Sequence, residues 1–283
     1  MKFIYAGYCK TGTKSIGLAF KKLGYKVYDF EETMMFHHNQ WIEIFDTKTS
    51  QARVYQLLYE MYKDVDVVCD APGFFYWREI LEVFPEAKCI FYERPDHEKW
   101  FESMAKQQLE LGKMMPGPDV IRIFLATIFI PTMNRLGKFS DVCNSLLFSS
   151  TLRPRRSITN KLYTINKTTS IMNYRKHNAD FIINCPENRR YIIEKGQFGQ
   201  WSKEFCKFID PKMKIPDFEF PRENVGGSIV DKSLEGQGSM GDDEANFKNT
   251  VRREFLHRLV GCLIALVAGY IFSRGLYNEF WKN

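Results

Sequence analysis

The residues with the clearest chemical pattern lie within the first fifteen positions. Gly7-Tyr-Cys-Lys-Thr-Gly-Thr-Lys-Ser15 follows an apolar run, Phe3-Ile4-Tyr5-Ala6, and precedes a helical pattern of Ile16, Leu18, Ala19, Phe20 and Leu23 that closes at Gly24. A strand, a tight Gly/Thr-rich turn and a helix N-terminus together make an anion cradle. The first N–H groups of a helix lack internal partners, and the helix dipole adds partial positive charge. Lys10 and Lys14 bring full charges to the same place. The expected ligand is a phosphate-like group. A Walker-type triphosphate loop needs lysine directly after its second glycine. Here Thr13 stands between Gly12 and Lys14, so the loop departs from that pattern.

Other residues suited to chemistry close later apolar runs. Asp70 ends Asp66-Val-Val-Cys-Asp70, and Arg94 follows Ala87-Lys-Cys-Ile-Phe-Tyr92. An acid at such a position serves as a general base, a magnesium ligand or a helix cap. The planar donor fork of arginine suits phosphate, or else pairs with a neighbouring acid such as Glu93, Asp96 or Glu98. Ser103 lies on the following helical stretch. His37 and His38 fall in a helical segment and read as packing or surface residues, and Trp41, Trp77 and Trp100 as core anchors. The cluster Arg153, Arg155 and Arg156 reads as a solvated basic turn.

The frame that positions these residues is an alternation of strands and helices. Lys26–Phe30, Asp66–Asp70, Ala87–Tyr92 and Arg190–Glu194 read as further strands. Helical faces recur over Glu31–Glu60, Trp77–Phe84, His97–Gly112, Asn173–Asp180 and Trp201–Ile209. Val120–Ile130 reads as a core or substrate-side helix. Strand–loop–helix repetition predicts an α/β fold with a doubly wound parallel sheet, which binds ligands at the carboxyl ends of its strands.

Composition bounds the partners. The chain has 283 residues, 45% of them hydrophobic, and a formal net charge of +6. That balance favours acidic ligands or an anionic membrane surface. The basic residues are scattered, which argues against nucleic acid. Seven cysteines (Cys9, Cys69, Cys89, Cys143, Cys185, Cys206, Cys262) show no metal-site spacing. They fit a reducing compartment, with those in apolar segments (Cys69, Cys89, Cys206, Cys262) buried. No His/Cys/Asp cluster calls for a metal.

Three parts are expected: an α/β domain over residues 1–224, a flexible Gly/Ser-rich linker over 225–245, and a basic flank with an apolar helix over 246–283. Leu259–Phe272 holds fourteen residues without a charge. Extended from Leu259 to Tyr277, that segment reaches about 28 Å as a helix at ~1.5 Å per residue, long enough for a membrane anchor. Lys248, Arg252, Arg253 and Arg258 on its N-terminal side place the body in the cytosol. Met1-Lys-Phe-Ile-Tyr-Ala-Gly7 reaches the glycine loop too soon for a signal-peptide core. The expected location is a single-pass C-terminal membrane anchor with a cytoplasmic domain. Asn166-Lys-Thr168 is a sequon, and a glycan there would overturn that orientation.

Taken together these segments resemble the sulfotransferases that use 3′-phosphoadenosine 5′-phosphosulfate. Cys9-Lys10-Thr11-Gly12-Thr13-Lys14-Ser15 is similar to their 5′-phosphosulfate loop, closest to a P-loop-like branch that includes a flatworm drug-activating enzyme. Cys69-Asp70-Ala71-Pro72 with Trp77…Phe84-Pro85 looks like the stretch bearing the catalytic acid. Glu93-Arg94-Pro95-Asp96…Lys99-Trp100…Ser103 looks like the 3′-phosphate motif. Glu194–Trp201, Phe205–Ile209 and Phe220-Pro221-Arg-Glu-Asn224 match the closing pattern, so the resemblance covers residues up to about 224. Lys195-Gly196 also resembles a phosphate motif of cytosolic sulfotransferases, or simply ends a late strand.

The resemblance implies that Lys10, Thr11, Gly12, Thr13, Lys14 and Ser15 hold the 5′-phosphosulfate, with Lys10 as the working charge. It implies that Arg94 and Ser103 bind the 3′-phosphate, and that Asp70 takes the acceptor proton. The donor is the co-substrate and no metal is needed. The acceptor is a hydroxyl or amine on a small molecule, and Phe, Met and Leu in Met34–Trp41, Phe74–Trp77 and residues 112–175 point to a lipophilic one. Competing readings are an ATP-dependent small-molecule kinase and an inactive, membrane-anchored binding protein. Cys9 replaces the family's proline, and a thiol near a helix N-terminus is expected to be more reactive than the other six.

Overall fold

The computed structural model describes residues 1–113, 129–148, 165–222 and 241–280. The turn at Arg153–Arg156, most of the helix expected over 120–130 and most of the linker expected over 225–245 lie outside the described residues. Five strands, β1 (Phe3–Tyr5), β2 (Val27–Tyr28), β3 (Val67–Val68), β4 (Lys88–Phe91) and β5 (Arg190–Ile192), form one parallel sheet in the order β2-β3-β1-β4-β5. The helices are α1 (Thr13–Lys22), α2 (Phe30–Ile44), α3 (Gln51–Tyr62), α4 (Trp77–Val83) and α5 (His97–Lys113). They continue with α6 (Pro131–Phe148), α7 (Lys167–Asn184), α8 (Lys203–Ile209) and α9 (Gly241–Phe280).

Alternation along the strands sorts their side chains between two cores. Ile4, Val68, Cys89 and Phe91 face one layer, with Trp41, Leu58, Trp77 and Phe181. Phe3, Tyr5, Val67 and Ile90 face the other, with Ile16, Phe20 and Phe205. Both faces of the sheet are covered by helices, which is why the short central strands β1 and β3 are apolar and buried on both sides. The three tryptophans are core residues as expected.

The ladders are shorter than the apolar runs in the sequence. The last residues of the runs leave the sheet and turn toward its carboxyl edge. Asp29, after β2, caps α2: its carboxylate accepts the Glu31 N–H, and Glu32 answers at the Asp29 N–H in a capping box. Asp70, after β3, adopts a left-handed φ of 68°. β1 lies between β3 and β4, pairing Ile4 with Val68 and with Cys89. The loop after β1 therefore sits at the centre of that edge, between the segments carrying Asp70 and Arg94.

Three expectations change. Cys9, Cys69, Cys89, Cys143, Cys185 and Cys206 are buried thiols, but Cys262 is exposed, because α9 carries it clear of the core. α9 begins at Gly241, inside the span expected to be linker. Among the described residues no helix is long and apolar enough to cross a membrane. Leu259–Tyr270 is uncharged and its residues are exposed. The spanning anchor expected over 259–277 thus finds no support there, and the side chains of residues 271–277 lie outside those described. α9 meets the rest of the chain through Glu254, whose carboxylate accepts hydrogen bonds from the Thr132 N–H and hydroxyl, each at 2.9 Å.

Candidate active site

The loop from Gly7 to Gly12 is held from several sides. The Tyr5 hydroxyl donates to the Thr11 carbonyl at 2.7 Å, the Trp100 indole N–H to the Cys9 carbonyl at 2.9 Å, and the Tyr8 hydroxyl to the Leu147 carbonyl at 3.1 Å. Tyr8 itself is buried among Phe74, Trp100 and Tyr174. Lys10 takes a left-handed φ of 65° and Gly12 a φ of 94°. Such backbone costs about 1–3 kcal/mol at a non-glycine residue and persists where its surroundings enforce it. Gly12 is the N-cap of α1, with no side-chain cap and no acid in the first turn. The N-terminal amides of α1 thus meet no carboxylate of their own first turn, the arrangement an anion requires.

A cavity of about 1070 Å³ opens over this loop. It is lined by all the residues that the resemblance assigns to the donor and to proton removal: Lys10 through Ser15, Asp70, Arg94 and Ser103. Arg94 is oriented by α7, since its backbone N–H donates to the Tyr174 hydroxyl at 2.7 Å. Phe30, Met34, Ala71 and Leu147 contribute apolar wall, with Ser140 and Asn144 beside them.

Asp70 is half-buried at the loop's flank. Its carboxylate accepts the Thr13 hydroxyl at 3.0 Å and the Ala71 N–H at 2.8 Å. Burial pushes its pKa above the ordinary carboxylate value, against the pull of Lys14, the Ala71 N–H and Thr13. A carboxylate so placed is suited to exchange a proton with a group in the cavity.

Lys14 differs from expectation. Its ammonium lies 2.7 Å from the Asp29 carboxylate and 3.0 Å from that of Glu31. Burial opposes its charge, but Asp29 and Glu31 outweigh that and hold it well above the usual lysine value. Asp29 is likewise buried, and Lys14 holds its carboxyl below the usual carboxylate range. Lys14 therefore ties α1 to the start of α2, and its charge is already answered by two acids. Cys9 also departs from expectation. Burial pushes its thiol well above the ordinary value, and its Sγ contacts the Met104 sulfur at 3.6 Å. Burial thus disfavours the thiolate, the form in which a cysteine reacts.

Other assignments resolve simply. His37 and His38 do not line the cavity; His37 packs near Tyr28 and Tyr62, and burial pushes its pKa down to about 4. Phe74 and Trp77 are core residues, leaving Met34 as the lining residue from the expected acceptor stretches 34–41 and 74–77. Lys195 lines a separate shallow pocket with His97 and Arg175. Among the described residues no group of His, Cys, Asp and Glu has the geometry to hold a metal.

Several lining residues lacked an individual role in the sequence reading. Phe198, Gly199 and Arg222 reach the cavity from the late segments, and Tyr92 stacks on Phe198 at 4.6 Å. Phe198 crowds the loop so closely that a Cβ on Gly12 would stand 2.0 Å from its ring. Both late segments belong to the closing pattern already recognised, which was the available signal. Asp29 ends an apolar run just as Asp70 does, and could have been found the same way.

Comparison with known proteins agrees with this architecture. A protein of Aspergillus versicolor, "Ava biosynthesis cluster protein M", is 32% identical over 112 residues, covering 37% of this chain and 42% of that protein. The chain thus matches less than half the length of that relative. The family model described as "Sulfotransferase domain" matches residues 2–229, nearly the whole α/β body. The chain belongs to the sulfotransferase-domain family.

Proposed function

We propose that the cavity takes 3′-phosphoadenosine 5′-phosphosulfate as donor and moves its sulfuryl group to a hydroxyl or amine of a lipophilic small molecule. The observation that carries this reading is a single cavity. It joins an anion loop, an arginine–serine pair and an upward-tuned carboxylate, with an apolar wall alongside.

Family membership makes sulfuryl transfer the coarse chemistry; the residues supply the detail. Such transfer leaves a protein mainly positioning and charge neutralisation. The amides of residues 12–15 fit the 5′-phosphate, whereas the Thr11 hydroxyl donates to the Tyr8 carbonyl and the Thr13 hydroxyl to Asp70, so these two shape the loop and do not donate to the ligand. Lys10 stabilises charge gathering on the bridging oxygen as the sulfur–oxygen bond to that phosphate breaks. Arg94 and Ser103 fit the 3′-phosphate, which separates this donor from ATP. Asp70 removes the proton from the acceptor heteroatom as its bond to sulfur forms, and the bisphosphate leaves. Phe30, Met34 and Leu147 exclude water from the acceptor's apolar body.

The test uses the full chain. Adenosine 3′,5′-bisphosphate without magnesium is expected to raise the melting temperature, at a hundred times its Kd by an amount equivalent to ~2.7 kcal/mol. ATP with magnesium is not. Radiolabelled sulfuryl transfer into an alcohol and amine library should disappear in Lys10→Ala. Stabilisation by ATP with magnesium and none by the bisphosphate would establish a kinase instead.

A further inference from the structure

α6 turns one face to the cavity: Ser140, Cys143, Asn144 and Leu147, at helical spacing, all line it. The helix is set against α2, with Phe139 buried and its ring centroid 5.9 Å from that of Phe30. It also lies near Asp70: burial, and after it the Asp70 charge, push the Cys143 thiol above its ordinary value. With the anion loop and Arg94 given to the donor, this face is left for the acceptor.

The N-terminus of α6 is poorly equipped to hold itself. The helix starts at Pro131, and the Ile130 carbonyl accepts its first bond, from the Asn134 N–H at 3.0 Å. Ile130 thus stands at the cap position, where its side chain offers no acceptor to the open amides. The first turn holds no acid to answer the helix dipole. Both needs are met from α9. One Glu254 oxygen accepts the Thr132 N–H and the other the Thr132 hydroxyl, each at 2.9 Å. Arg135 donates to that hydroxyl at 3.3 Å and brings its guanidinium within 3.6 Å of the same carboxylate. Ile130 and Thr132 are buried, and the Glu254 side chain is only 20% exposed. The carboxylate therefore acts as an N-cap supplied from 122 residues further along the chain.

We propose that Glu254 is a positioning residue for the acceptor: by capping α6 from α9 it fixes where Ser140, Asn144 and Leu147 stand in the cavity, so acceptor affinity depends on α9 staying docked. This inference rests on the sulfuryl-transfer reading above. It gives α9 a part in the site although none of its described residues lines the cavity.

The test compares the full chain with Glu254→Ala, Glu254→Gln and Thr132→Val. Amide hydrogen exchange reads the cap itself. Glu254→Ala should speed exchange over residues 132–140 by about fivefold, the effect of one missing cap, and leave β1 and α1 unchanged. Kinetics reads the consequence, with the alcohol or amine that the unmodified chain sulfates fastest. Glu254→Ala should raise the acceptor KM by about threefold to tenfold with kcat nearly unchanged, the mark of weakened binding. Affinity for adenosine 3′,5′-bisphosphate, measured by calorimetry, should stay within about twofold of the parent. Glu254→Gln keeps an acceptor oxygen and Thr132→Val keeps the N–H bond, so each should fall between parent and Glu254→Ala. Parent-like exchange over residues 132–140, or an unchanged acceptor KM, overturns the proposal. So does a loss of donor affinity equal to the loss of acceptor affinity, which marks a general effect on the fold. If the unmodified chain sulfates no acceptor, the sulfuryl-transfer reading fails and the acceptor role of Glu254 with it.

Discussion

Replacing Thr13 by valine removes one hydrogen bond from Asp70 while keeping side-chain shape. The Thr13 hydroxyl donates to Asp70 Oδ2 at 3.0 Å, and Thr13 is buried. A hydrogen bond to a charged group contributes about 1.5–3 kcal/mol, and one pKa unit is ~1.36 kcal/mol, so full loss raises the Asp70 pKa by about one to two units. The Ala71 N–H still serves Oδ1, and water in the cleft replaces part of the Thr13 contact. About one unit is the expected shift. Its direction adds to the rise that burial already imposes. A higher pKa leaves less carboxylate at a given pH, so the acid limb of the pH–rate profile moves to higher pH. Sulfuryl transfer, or slow donor hydrolysis, measured from pH 5 to 9 reads this directly. Thr13→Ser should restore the parent profile, and Asp70→Asn should lower the rate by about 10²–10⁴ at every pH. If Thr13→Val lowers activity equally across the range with the limb unmoved, Thr13 serves the donor only and the base assignment loses its support.

Other perturbations test the rest of the site. Lys14→Met leaves the buried Asp29 carboxylate without its ammonium and should destabilise the fold by on the order of 3 kcal/mol in urea unfolding; parent-like stability would refute the structural role. The Asp29 pKa is lowered on folding, so stability from this pair is present above the unfolded carboxylate pKa and is lost as pH falls through the folded one. Acid unfolding of the parent should thus begin below pH ~4, and Lys14→Met should flatten that dependence. Gly12→Ala meets the Phe198 ring at 2.0 Å and keeps a φ of 94°. It should abolish bisphosphate binding, and a second change, Phe198→Ala, should relieve the clash but not the ~1–2 kcal/mol backbone strain. Finally, exposed Leu263 and Leu266 on α9 stand beyond basic Arg252, Arg253 and Arg258. The full chain should therefore co-sediment with anionic lipid vesicles, and Leu263→Glu with Leu266→Glu should release it. Equal recovery in the supernatant for both would remove lipid association.

The sequence by itself determined the parts of this protein that depend on local backbone. Strand, turn and helix follow from apolar runs, glycine placement and helical spacing, and these put Lys10–Ser15 at a helix N-terminus, Asp70 after β3 and Arg94 after β4. Parallel order then brings all three to one edge, because parallel strands share a carboxyl end. Tertiary structure alone decided which charges meet. Lys14 looks like a second phosphate lysine until α2 folds back and Asp29 and Glu31 close on it. Cys9 looks reactive until Met104 and Trp100 bury it, and desolvation works against its thiolate. Arg222 and Phe198 reach the cavity from about two hundred residues beyond the glycine loop in the chain. Such pairings depend on which side chains share a volume, and local spacing carries no record of that.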